Sequence, residues 1–125
     1  MKFTLLRLTL LAAVMLTPAL EAKTKKVAHS STEGVASFYS TRFDGRVTAS
    51  GQRFNSKALT AASLQLPLGS RVKITNLANH HSVIVRVNDR GPFVKGRDIS
   101  VTRRAAQQLG FIKAGTAKVR ITRLS

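Results

Sequence analysis

Arg71-Val-Lys-Ile-Thr-Asn-Leu-Ala-Asn-His-His-Ser-Val-Ile-Val-Arg-Val-Asn-Asp-Arg-Gly-Pro-Phe93 is the stretch whose reading decides the fold. Val72 and Ile74 alternate with Lys73 and Thr75, and Val83, Val85 and Val87 flank Ile84 and Arg86. Successive strand side chains point to opposite faces, so each run predicts a strand with one face in a core. Asn76-Leu-Ala-Asn79 joins the two runs, and residues 71–87 read as a hairpin. After Val87 the strand ends. Asn88, Asp89, Gly91 and Pro92 are turn formers and hold Asp89 near the surface. Taken alone, an aspartate in such a turn serves as an acceptor for nearby backbone amides.

The same alternation recurs outward from this stretch. Val119-Arg-Ile-Thr122 gives another strand, Ala36 to Tyr39 a fourth, and Ala58 to Ala62 a shorter fifth. One helix is predicted. Thr102 can cap it, Ala105, Ala106 and Leu109 form an apolar stripe, and Gly110 supplies the stop. Several strands and one short helix within about 90 residues predict a mainly β domain, a small barrel or sandwich.

The chain has 125 residues, which is the size of one domain. It has no cysteine, which excludes disulfides, thiolate metal sites, thiol nucleophiles and a lipidated cysteine. Lys and Arg number 21 against 5 Asp and Glu, a formal net charge of +16. Such a balance calls for an anionic partner. Residues 1–22 read as a cleavable signal peptide: Lys2 and Arg7 precede the apolar run Leu8 to Leu16, and Leu20-Glu21-Ala22 offers a cleavage site. Its removal takes away Lys2, Arg7 and Glu21, leaving 19 cations against 4 carboxylates, or +15. The product is expected to be exported to the periplasm or cell envelope, or beyond the cell, so nucleic acid is not its expected ligand. Residues 23–33 are polar and Lys-rich, a flexible basic leader, and residues 34–125 form the domain.

Longer stretches of the chain resemble the rare lipoprotein A (RlpA-like) family. They are Gly34-Val-Ala-Ser-Phe-Tyr39, Phe43-Asp-Gly-Arg-Val-Thr-Ala-Ser-Gly-Gln-Arg-Phe54, Leu66-Pro-Leu-Gly69, Val72 to Leu77, Val83 to Phe93 and Arg104-Ala-Ala-Gln-Gln-Leu-Gly110. The resemblance covers nearly all of residues 34–122. It implies a six-stranded double-psi β-barrel and a lytic transglycosylase that cleaves peptidoglycan glycan strands lacking stem peptides, leaving 1,6-anhydromuramyl ends. Such a reaction needs one group to protonate the departing oxygen and then accept a proton from the muramyl C6 hydroxyl. The family's aspartate falls on Asp89. Tyr39, Arg46, Thr48, Ser50, Asn88 and Arg90 are the expected substrate-binding residues.

Three positions depart from the family pattern. Gln52 stands where the family has Glu, Ser63 where it has His, and Ser100 where it often has Asp. Gln52 keeps the hydrogen-bonding shape of Glu without a titrating proton, and would position an acetamido group or the reacting oxygen. Ser63 is a poor base without help. These departures raise an alternative, a non-catalytic, expansin-like module that holds peptidoglycan. A third reading, a basic effector binding lipid surfaces, finds no amphipathic helix to support it.

The remaining candidates have plainer expected roles. Asp44-Gly45 reads as a turn, and Asp98 as favourable charge before the helix. His80 and His81 lack partner ligands, so no metal or other cofactor is expected. Phe38, Phe43 and Phe54 are assigned to the core, with Tyr39 the aromatic best suited to a groove. The arginines at 42, 46, 53, 86, 90, 97, 103 and 104 would attract the anionic wall. Without a cysteine no lipid anchor is expected, and a monomer is.

Overall fold

The computed structural model describes residues 30–125. The expected signal peptide and residues 23–29 of the leader lie outside the described residues. Six strands follow in chain order: β1 (Ser31–Phe38), β2 (Thr60–Ser63), β3 (Arg71–Asn76), β4 (Ser82–Asp89), β5 (Ile99–Val101) and β6 (Ala117–Arg123). One α-helix, α1 (Arg103–Leu109), lies between β5 and β6. The strands close into a barrel in the order β1-β5-β2-β4-β3-β6. Two of the pairings, β1 with β5 and β2 with β4, are parallel, and the other four are antiparallel. The expected six-stranded double-psi β-barrel with one helix is the fold found.

Residues 71–87 do form a hairpin, with Val72 opposite Val85 and Ile74 opposite Val83. Those four side chains are buried, as are Val87 of β4 and Ala36, Ala61, Ile99, Val101 and Val119 from the other strands. The outward positions of β3 and β4 carry Arg71, Lys73, Ile84 and Arg86. Alternation therefore sorts this hairpin into core and surface up to Val87, while β2 and β5 are buried on consecutive residues. Closing the sheet leaves no unpaired edge, which suits a domain without disulfides.

β1 starts earlier than its apolar residues suggest. Ser31, Thr32 and Glu33, expected in the flexible leader, pair with Thr122, Ile121 and Arg120 of β6. The ladder bonds are made by backbone, so polar side chains on the outer face do not prevent the strand. Glu33 also forms an ion pair with Arg120 at 3.4 Å.

Helix α1 plugs the barrel with Ala105, Ala106 and Leu109, all fully buried, and Phe111 follows. Thr102 caps its start: the side-chain oxygen accepts from Ala105 N and donates to Ala58 O at 2.6 Å. Gly110 ends it at φ +78, where a Cβ would also lie 2.8 Å from Asn79 Nδ2. Asn76 and Asn79 of the hairpin turn each donate a side-chain N–H to Leu109 O, at 2.8 and 3.0 Å. The turn thus satisfies a carbonyl that the helix end would leave orphaned.

Asp98 differs from its expected role. Rather than favouring the helix, it accepts from Val35 N at 2.8 Å and ties β1 to the approach of β5. Gly34 leaves room for it, since a Cβ there would meet Asp98 Oδ2 at 2.7 Å. Asp44 does hold a turn, accepting from Ser56 N and Ser56 Oγ at 2.6 and 2.8 Å.

Candidate active site

The last turn of β4 sets the position of Asp89. Val83, Val85 and Val87 face the core, so unbroken alternation would bury Asp89 beside them. The pairing with β2 slips at this point: Ala61 pairs with Val87, but Ala62 pairs with Asp89. Asn88 is the extra residue of a bulge, and it is buried together with Val87. One inserted residue re-aims the next side chain, and Asp89 emerges half-buried in a groove.

Three donors fix the carboxylate there. Oδ1 accepts from the backbone N–H groups of Ala49 and Arg90, both at 2.9 Å. Oδ2 accepts from the Tyr39 hydroxyl at 2.9 Å. A carboxylate oxygen has about two acceptor positions, so Oδ1 is filled while Oδ2 retains one. Oδ2 is the oxygen able to exchange a proton with a ligand. Tyr39 comes from the end of β1 and stacks against Phe54 with ring centres 4.7 Å apart. Burial, then the hydrogen bond to Asp89 and its charge, hold the Tyr39 phenol well above its ordinary range. Tyr39 therefore acts as a donor and not as a base.

The donor from Ala49 depends on the loop between β1 and β2. Val47 bridges to Arg53, and Thr48 binds Gln52 O through both its N–H and its hydroxyl, at 2.8 and 2.7 Å. The loop tip rests on the bulge: Ser50 N donates to Asn88 O at 3.1 Å, and Asn88 Nδ2 donates to Gln52 Oε1 at 3.3 Å. Asn88 and Ser50 thus brace the loop rather than line the groove.

The groove encloses about 570 Å³. Its lining includes Asp89, Tyr39, Thr48 and Ser100, with Phe43, Arg46 and Val47 from the loop after β1 and Phe93, Val94 and Arg97 from the loop after β4. Phe93 is 81% exposed and Val94 52%, an unusual state for large apolar side chains beside a carboxylate. Of the expected binding residues, Tyr39, Arg46, Thr48 and Arg90 line the groove. The Arg90 guanidinium itself turns away, donating to Ser63 O and Leu66 O at 2.8 and 2.6 Å. Arg86, the other cation close to Asp89 in sequence, likewise donates to Gly69 O at 2.7 Å.

Gln52 and Ser63 do not line the groove. The Gln52 amide oxygen is engaged by Asn88, and Ser63 Oγ accepts from Gln65 N and Leu66 N at 3.2 and 3.0 Å. Ser63 borders a separate depression of about 280 Å³. Ser100, at the position where the family often has Asp, does line the groove. Phe93, Val94, Val47 and Arg97 were not singled out as lining residues by the sequence alone. For Phe93 a signal was present, an aromatic directly after a Gly-Pro turn where core packing is hard to arrange. Among the described residues no cluster of His, Asp or Glu could hold a metal ion.

Residues 31–121 match the lytic transglycolase family. The chain belongs to that family. An endolytic peptidoglycan transglycosylase RlpA of Pasteurella multocida is 55% identical over 89 residues, covering 71% of this chain and 30% of the relative. The protein of the same name from Neisseria meningitidis serogroup A is 50% identical over 99 residues, 79% of this chain and 41% of the relative. A probable RlpA of Nostoc is 54% identical over 91 residues, 71% and 24% of the two chains. The chain thus spans between 24% and 41% of the length of these curated relatives. Two solved structures share the fold: the Streptomyces papain inhibitor (TM-score 0.62, 16% identity, 77% of this chain and 96% of that one) and the apo expansin of Clavibacter michiganensis (TM-score 0.62, 18%, 77% and 51%).

Proposed function

We propose that this barrel is a lytic transglycosylase that cuts peptidoglycan glycan strands stripped of stem peptides, working in the bacterial cell envelope. The observation that carries this reading is Asp89, the one carboxylate among the described residues lining the groove, presented by a bulge and held by three donors. Family membership and the names of the relatives support the same reaction class.

One carboxyl suffices for the chemistry. Protonated at Oδ2, Asp89 gives its proton to the glycosidic oxygen between N-acetylmuramic acid and N-acetylglucosamine. The C1–O bond breaks and the N-acetylglucosamine 4-hydroxyl departs. Positive charge that develops on the muramyl ring faces the newly formed carboxylate. The carboxylate then takes the C6 hydroxyl proton as O6 bonds to C1. A 1,6-anhydro ring forms, no water is consumed, and Asp89 ends protonated as it began. Hydrolytic glycosidases need a second carboxylate to activate water or attack the sugar, and this route does not. Tyr39 holds Oδ2 in place throughout, and Phe93 offers an exposed ring for a sugar face.

Gln52 and Ser63 lie outside the groove, so their lack of a titrating group removes none from it. This favours the catalytic reading over a module that only holds glycan. Digesting denuded glycan strands with the purified chain and analysing products by mass spectrometry after borohydride treatment tests the proposal. Ends that are one water lighter and resist reduction are expected. Reducible ends, or no cleavage, would sink it.

A further inference from the structure

The groove is unbalanced in charge. Its one carboxylate already receives three hydrogen bonds, and two arginines, Arg46 from the loop after β1 and Arg97 from the loop after β4, are among its lining residues. Arg46 lies over the Phe43 ring at 4.9 Å, which orients it without neutralising it. Among the described residues the one ion pair is Arg120 with Glu33, so neither groove arginine is within ion-pair distance of a described carboxylate. Arg53, Arg86 and Arg90, by contrast, donate to backbone carbonyls. Two cations left open beside an acid suit a ligand that brings its own anion close to the bond being cut.

We propose that Arg46 and Arg97 are specificity-determining residues that read a free carboxylate on the sugar bound next to Asp89. The inference rests on the proposed peptidoglycan reading. On such a strand the sugars have one ionisable group, the lactyl carboxyl of muramic acid. It is an anion when free and a neutral amide when a stem peptide is attached. Arginine pairs with a carboxylate through two parallel hydrogen bonds, and an amide in the same place offers a single carbonyl acceptor and no charge. The two arginines thereby select stripped strands, and the exposed Phe93 and Val94 supply contact that does not discriminate.

The test compares two glycans: denuded strands, and the same strands with lactyl carboxyls converted to N-methylamides. Equilibrium binding is measured on the full chain carrying Asp89→Asn, so that strands are not consumed. The parent should bind the free-carboxylate strand about tenfold tighter than the amidated one. Adding Arg46→Gln and Arg97→Gln should bring that ratio close to one. Adding Lys73→Gln and Lys118→Gln instead removes the same net charge from the outer faces of β3 and β6 and should leave the ratio intact. Equal binding of both strands by the parent, or loss of selectivity in the lysine variant as well, overturns the inference. Cleavage by the unaltered chain is scored separately: no anhydro product would sink the proposed reaction, while the binding ratio still decides the role of the arginines.

Discussion

Tyr39 is the chain's one tyrosine, and there is no tryptophan, so its phenol can be followed by ultraviolet absorbance without interference. Burial and the bond to Asp89 favour the neutral phenol in the folded state. Titrating the folded protein should therefore give no phenolate absorbance through pH 10, the ordinary midpoint. A normal midpoint would show that the Tyr39–Asp89 bond does not persist in solution. The sign for stability follows. The unfolded phenol loses its proton near pH 10 while the folded one keeps it, so this stabilisation is complete below about pH 10 and falls as pH rises above it. Tyr39→Phe should flatten that alkaline decline in urea unfolding. In kinetics it should lower kcat roughly tenfold while KM changes less than about twofold, because the bond orients the acid rather than the substrate. A rise in KM at constant kcat would instead assign Tyr39 to sugar binding.

Among the elements, the end of β4 and helix α1 show how different signals are written into a sequence. The alternation of Val83, Val85 and Val87 made the strand legible, but the slip at Asn88 was not, since it depends on pairing with β2, which is distant in sequence. Read from sequence, the strand ends at Val87 and Asp89 falls in a turn. Asp89 is instead the last residue of β4, paired with Ala62, and its emergence into a groove follows from the bulge before it. The loop tip at Thr48 to Gln52 was similarly opaque, because it fits against Asn88, distant in sequence, through one backbone bond and one side-chain bond. The helix was legible because its caps are local. Thr102→Ala should cost about 1–2 kcal/mol in urea unfolding, through the lost cap and the unpaired Ala58 carbonyl. The groove lies outside this contact, so activity well below the melting temperature should hold. A loss under about 0.3 kcal/mol would contradict the capping account.

At the scale of the molecule, closure of the barrel gives a frame from which two loops join Asp89 in lining one groove. Hydrophobic alternation carried most of that frame, while the start of β1 escaped because Ser31 to Glu33 are polar residues paired through backbone. Charge was legible in amount but not in placement. Arg86 and Arg90, close to Asp89 in sequence, are spent on carbonyls, and the groove cations Arg46 and Arg97 come from separate loops. The surplus of cations should draw the chain to an anionic wall, so kcat/KM on denuded strands should fall several-fold between low salt and about 0.5 M. Independence from salt would mean that encounter is not steered by charge.

The central claim is that one carboxyl serves as acid and then as base. Asp89→Asn tests it most directly, since the amide oxygen can keep accepting from Ala49 N and Arg90 N, and the amide N–H can donate to the Tyr39 hydroxyl oxygen, while the transferable proton is lost. Release of anhydromuramyl ends from denuded strands should drop at least about a hundredfold with the fold intact by circular dichroism. Release at the parent rate would contradict the account.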